Sequence, residues 1–384
     1  MPLIYLQAYR SPAVASGAGH LYVWGINWAG DLGLNLNPVA TRSVPVQVGT
    51  IEQWSTISFG ASHDGGGDLG GHSSGIRTTG LLFQWGRNNV GQLGLDDAMD
   101  RSSPVQLGSD TWSSTSAGYS FTMAIKSDGT LWSWGENFAG VLGLDLSSSA
   151  ARRSSPVQIG LSLWTSVACG QLNAMAIRSD GALFSWGSHY VGSGIIGDNT
   201  AFINRSSPVL IAGGPWSKVS VLTRNAVAVK SAGTLWTWGF NGNGELGINL
   251  PGTPSRSTPT QVGALSTWAD ASAGTAFAAA IKSDGTLWSW GTNSTGQLGL
   301  GDVVERSSPV QVGTDTNWLT VDCDSAYTLA LRTDGTMWAW GSNGAFHLAQ
   351  PTLLVSRSSP VQIGTLSWSQ ITSGMGVHQG AIRA

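Results

Sequence analysis

The stretch "SDGTLWSWGENFAGVLGL" (residues 127–144) places two tryptophans two residues apart, follows the second with Gly, and has near-copies along the whole chain. Repetition of this kind decides an architecture before any single element is assigned. Trp-Gly recurs at Trp24, Trp85, Trp134, Trp186, Trp238, Trp290 and Trp340, in steps of 61, 49, 52, 52, 52 and 50 residues. A second tryptophan marks each unit at Trp54, Trp112, Trp164, Trp216, Trp268, Trp318 and Trp368. Between the two marks runs Arg-x-x-Pro, ending at Pro45, Pro104, Pro156, Pro208, Pro259, Pro309 and Pro360. Trp132, Trp236, Trp288 and Trp338 occupy the site two before Trp-Gly, where other units have Tyr22, Phe83 and Phe184. Of 19 tryptophans only Trp28 stands outside this scheme, so there are seven units.

Each unit reads as short strands. "AIKSDGTLWSWG" alternates on both sides of Asp-Gly, a strong hairpin signal because both turn residues tolerate positive φ. "SSPVQVG" is a brief strand whose Pro suits a sheet edge. No window shows sustained helical spacing of apolar residues. One such small sheet cannot bury two faces alone; repeated radially, it makes an all-β, seven-bladed β-propeller in which blade packs on blade. The last unit stops at "GVHQGAIRA", where the turn before "TLWSWG" is due, and "GHLYVWG" (residues 19–25) supplies the missing half. The N- and C-terminal strands are therefore expected to share one blade and close the ring, since an open stack would leave unpaired edges. Residues 17–384 form the propeller and residues 1–16 an N-terminal arm.

The phrases "STPTQVG" and "AIKSDGTLWSWGTNSTGQLGLG" (residues 257–263 and 280–301) resemble the repeats of the regulator of chromosome condensation family, seven-bladed propellers with units of this length. The resemblance spans residues 17–384. It implies the propeller fold and, for the family's founding member, guanine-nucleotide exchange on a small GTPase. The family's usual His-Thr is replaced by Phe121, Asn173, Asn225, Phe277 and Tyr327, with His63 and His378 retained.

Composition narrows the function classes. Charged residues make up 11% of the 384-residue chain and the net charge is −3, which gives no electrostatic footprint for nucleic acid. Seven arginines precede the prolines by three (Arg42, Arg101, Arg153, Arg205, Arg256, Arg306, Arg357) and suit carbonyls or carboxylates of a neighbouring blade. Seven more basic residues end the strand before the hairpin. Cys169 and Cys323 sit three units apart, too far across a ring for a disulfide. No stretch reaches membrane-spanning length, and the N-terminal residues lack the basic start of a secretory signal.

No nucleophile elbow, zinc-protease helix or phosphate loop is present, so the chain reads as non-enzymatic, with no cofactor. The 61-residue step marks an insertion, residues 63–75, whose His63, Asp64, Asp68 and His72 form a contact loop rather than a metal site. Positions that vary among otherwise equal units are candidate recognition sites. Four residues after the Trp of Trp-Gly stand Trp28, Phe138 and Tyr190, and the neighbouring Arg87, His189 and Phe240 join them as candidate partner contacts. The expected function is a scaffold binding a protein or a surface glycan. Sparse charge and Ser/Thr/Gly-rich loops suit an extracellular or virion setting, such as a phage decoration, tail or fibre-associated protein engaged in host recognition. The alternatives are the exchange activity implied by the resemblance and a secreted inhibitor or adhesin propeller.

Overall fold

The computed structural model describes residues 19–384 except 37–39, 51–52, 62–69, 147–150, 190–192, 201, 212, 251–253, 351–354 and 375–377. The expected arm at residues 1–16 lies outside the described residues. Seven four-stranded antiparallel blades are arranged as a propeller. Blade 5 shows the plan. Its inner strand Trp216–Val221 pairs with Asn225–Lys230, which pairs with Leu235–Gly239, and Arg256–Gln261 forms the outer edge. In Arg101–Ala117 and Arg153–Cys169 the outer strand of one blade continues unbroken into the inner strand of the next.

Blade 1 is assembled from both ends of the chain. Leu21–Asn27 pairs with His378–Arg383, with Leu21 opposite Ile382 and Gly25 opposite His378. Trp368–Gly374 completes it on the inside and Ala40–Gln47 on the outside. The inner strand of blade 1 also packs against that of blade 2, so the ring is closed.

One hydrogen bond repeats at every junction. The indole Nε1 of each Trp-Gly donates to a backbone carbonyl in the long loop of the preceding blade, from Trp85 to Asp31 and Trp134 to Gln92 round to Trp24 and His347, at 2.8–3.1 Å. All seven of these tryptophans are fully buried. The loop residue two beyond the accepting carbonyl must leave room for the ring. At Gly94, φ is +71° and a Cβ would lie 2.9 Å from Trp134 Nε1, which explains the Gly of "GQLG".

The second tryptophans build the other half of each wedge. Each meets the aromatic two before its Trp-Gly edge to face, with centroids 5.2–6.5 Å apart, from Trp164–Phe184 to Trp112–Trp132. The strand-ending Arg77, Lys126, Arg178, Lys230, Lys282 and Arg332 lie 3.7–4.9 Å over these aromatics. That ring of basic charge packs over the aromatics, and Lys126, Arg178 and Arg332 also pair with Asp110, Asp180 and Asp315. The Arg-x-x-Pro arginines differ from expectation in their partner. Arg101, Arg205 and Arg306 bind Asp97, Asp198 and Asp302 of their own blade's loop at 2.5–2.6 Å, not a neighbouring blade. Cys169 and Cys323 are buried and free.

Candidate partner-binding face

The two ends of the propeller are built differently. One carries the tight turns at Asp128-Gly129 and its equivalents, and the other carries the long loops that follow Trp-Gly. Those loops are braced from inside. Asn27, Asn88, Asn137, Asn241, Asn293 and Asn343 are buried, and each Oδ1 accepts the N–H of the residue five further on at 2.9–3.1 Å. The side-chain amides of Asn137 and Asn241 donate to the carbonyls of Leu146 and Leu250, nine residues on. Sequence reasoning passed over this asparagine, although its place three residues after the Trp in six units was visible.

The brace shows what the variable positions do. His189 occupies the asparagine's place in blade 4; its side chain is buried, 3.9 Å from the Asp198 carboxylate that Arg205 binds, and burial holds its pKa below the usual imidazole range. Arg87 is buried too, with its backbone N–H on the Gly71 carbonyl. Neither offers a surface to a partner, contrary to expectation; both serve the loop interior. Phe138 is half exposed on a single 3₁₀ turn, Phe138–Gly140. Phe240 is half-buried, with the Arg224 guanidinium 5.6 Å over its ring. Trp28 is half-buried. Tyr190, His63, Asp64 and Asp68 lie outside the described residues.

His72 requires a correction. It is not in a loop but begins the strand His72–Arg77, fully buried, opposite Gly86. It therefore fills the position of Phe121 and His378 in other blades, which the sequence reading gave to His63. The insertion ends before it. A run of Gly, His and Ser hid the strand, because the usual apolar alternation is missing.

The same region holds a cluster of buried polar side chains. His72 Nε2 lies 2.9 Å from the Thr122 hydroxyl, and His378 stands 3.4 Å from Ser73 Oγ and 3.8 Å from the Asp31 carboxylate. Burial pushes Asp31 up to about 7, and lowers His72 to about 4 and His378 to about 3. Ser73, His378 and Asp31 are all fully buried. Among the described residues, no group of three or more His, Cys, Asp or Glu is placed to hold a metal ion.

Sequence reading also missed an apolar rim. Just before the outer-strand arginines, Met99, Phe202, Ile203, Val303, Val304 and Val355 stand exposed at the edge of the loop face, Phe202 by 74%. They belong to four different blades, the second, fourth, sixth and seventh, one or two side chains to each.

Comparison with known proteins now bears on the fold. The model of the RCC1-like domain matches residues 66–381. The chain belongs to the RCC1-like domain family. It is 28% identical over 283 residues to the ultraviolet-B receptor UVR8 of Arabidopsis thaliana, covering 69% of this chain and 61% of the receptor. It is 32% identical over 139 residues to the probable E3 ubiquitin-protein ligase HERC6 of Homo sapiens, covering 35% of this chain and 13% of the ligase. The RCC1-like chain thus spans less than two thirds of either relative. Human WBSCR16 superposes with a TM-score of 0.82 at 18% identity, over 96% of this chain and 99% of that one. Prp20p of Saccharomyces cerevisiae, described with its binding properties to Gsp1p and histones, superposes with a TM-score of 0.83 at 16% identity, over 96% and 92%. These likenesses establish the fold. No helix among the described residues is long and apolar enough to cross a membrane.

Proposed function

We propose that this RCC1-like propeller is a protein-interaction scaffold whose long-loop face makes the contact. The observation that carries the reading is the exposed rim of Met99, Phe202, Ile203, Val304 and Val355 together with Phe138, on loops that in every blade but the fourth are braced by a buried asparagine. Rigid loops present such side chains with little ordering cost on binding. A glycan partner, a phage virion, or a secreted inhibitor or adhesin rests on composition alone, and the plant and human relatives add nothing to those settings. Guanine-nucleotide exchange gains no specific support, since among the described residues the middle blades carry no strand beyond their four.

The test is photo-crosslinking in the cells that make the protein, with benzoylphenylalanine in place of Phe138 or Phe202 and, on the opposite side, Leu161. A discrete adduct from the first two positions and none from the third is expected. Adducts from Leu161 alone would place the contact on the wrong face. Release of guanine nucleotide from a small GTPase at substoichiometric protein would replace the scaffold reading with exchange.

A further inference from the structure

The seven inner strands surround a central channel of about 570 Å3, within the range of small-molecule sites. Four residues after the second tryptophan, blades 2, 3, 5 and 6 present Ser58, Ser116, Ser220 and Ser272 to this channel. Each hydroxyl accepts a backbone N–H from the next blade's inner strand at 2.9–3.1 Å. Blade 7 has Asp322 instead. One of its oxygens does the serine's work, accepting the Ser373 N–H at 2.7 Å and the Ser373 hydroxyl at 3.1 Å. The other has a long bond of 3.3 Å from Ser272 Oγ. A hydroxyl meets the scaffold's need in four other blades, so a carboxylate here has no structural requirement behind it.

Lys218 draws it toward the ionised form without an ion pair to it. Lys218 lines the channel but forms its ion pair with Asp270, whose oxygens also accept the Ala271 and Val321 N–H groups and the Thr320 hydroxyl. Asp324 is buried beside Asp322 and accepts the Tyr327 hydroxyl at 2.8 Å. The charged side chains of the channel lining are Lys218 and Asp322, with the Asp270 and Asp324 carboxylates buried behind them. The buried Cys169 and Cys323 thiols are pushed up by burial and stay neutral. Enclosure, with Asp324 adding to it, lifts Asp322 to about 6, so the carboxylate is ionised at neutral pH.

We propose that the central channel binds a small organic cation, an alkylammonium or guanidinium, through Asp322. A cation there gains charge-assisted hydrogen bonds to the under-used oxygen, and serine hydroxyls surround the rest of the ligand.

Isothermal titration at pH 7.5 and low salt tests this, with the Nα-acetylated forms of L-arginine amide as probe and of L-citrulline amide as its neutral isostere. One-site binding of the acetylated arginine amide alone is expected. Asp322→Ser, which installs the residue resident in four other blades, should weaken it at least tenfold with the fold intact by circular dichroism. Lys218→Met should tighten it severalfold. Below pH about 6 the wild type should lose about tenfold per unit. No binding at millimolar acetylated arginine amide, equal binding of the acetylated citrulline amide, or unchanged affinity in Asp322→Ser would each overturn the proposal.

Discussion

At the junction of blades 6 and 7, the Gln297 carbonyl accepts Trp340 Nε1 and the Thr328 hydroxyl, both at 2.9 Å, while its side chain caps the Thr295 N–H. At the junction of blades 1 and 2, the Asp31 carbonyl accepts Trp85 Nε1 at 3.0 Å and the Ser73 hydroxyl at 2.7 Å. The backbone arrangement is the same, yet Asp31 points a buried carboxylate at His378. The joint is thus made by an indole and a main-chain carbonyl, neither of which depends on the side chain. That position can hold Asp31, Gln92, Val141, Ile195, Glu245, Gln297 or His347 without loss of the ring. What the side chain decides is how one junction responds to pH.

Truncation of the shared part should have the largest effect. Trp85→Ala and Trp340→Ala should each lose about 3–5 kcal/mol in urea unfolding, and by similar amounts. A twofold difference between them would show that the ionisable groups contribute to the joint itself.

The pH response separates the two junctions next. Asp31 has a raised pKa in the fold, so its contribution is present below about 4 and lost as pH rises to about 7. His72 and His378 are lowered, so theirs is present above about 6.5 and lost as pH falls through about 4 and 3. Asp31→Asn should therefore gain on wild type by about 1.4 kcal/mol per unit from pH 4 to 7 and remain the more stable above. Thermal melts across this window check it; parallel profiles would mean that Asp31 is not desolvated.

A smaller effect is expected where the repeat itself departs from glycine. Ala349 holds φ of 48° at the position of Gly94 and Gly299. Ala349→Gly should stabilise by up to about 1 kcal/mol and Gly299→Ala should destabilise by more, since its Cβ would lie 2.7 Å from Trp340 Nε1. Smallest of all, Phe138→Ala should leave the unfolding midpoint within about 0.5 kcal/mol of wild type while weakening partner capture. A large loss of stability there would return Phe138 to the scaffold.

The ring was legible because its parts repeat. Trp-Gly, the second tryptophan and Asp-Gly fix strand ends and turns locally, and seven copies leave closure as the natural outcome, down to residues 19–25 pairing with the last strand. The candidate site was less legible. Variation among units singled out Phe138, which is exposed, but also His189 and Arg87, which are buried, because variation alone does not distinguish outward from inward substitution. The strand beginning at His72 was lost because its residues alternate without apolar contrast.

Outside blade 2, where the insertion hid His72, the sequence alone determined which residues are equivalent to one another, since equivalence follows from spacing. Only the tertiary structure decided which equivalent residues face a partner blade, the channel or solvent. Those surroundings come from the neighbouring blade, about 50 residues away in the chain, and from the two termini meeting in blade 1. The charges of Asp31 and Asp322 acquire their meaning there, because burial depends on what encloses a carboxylate and not on the residues beside it in sequence.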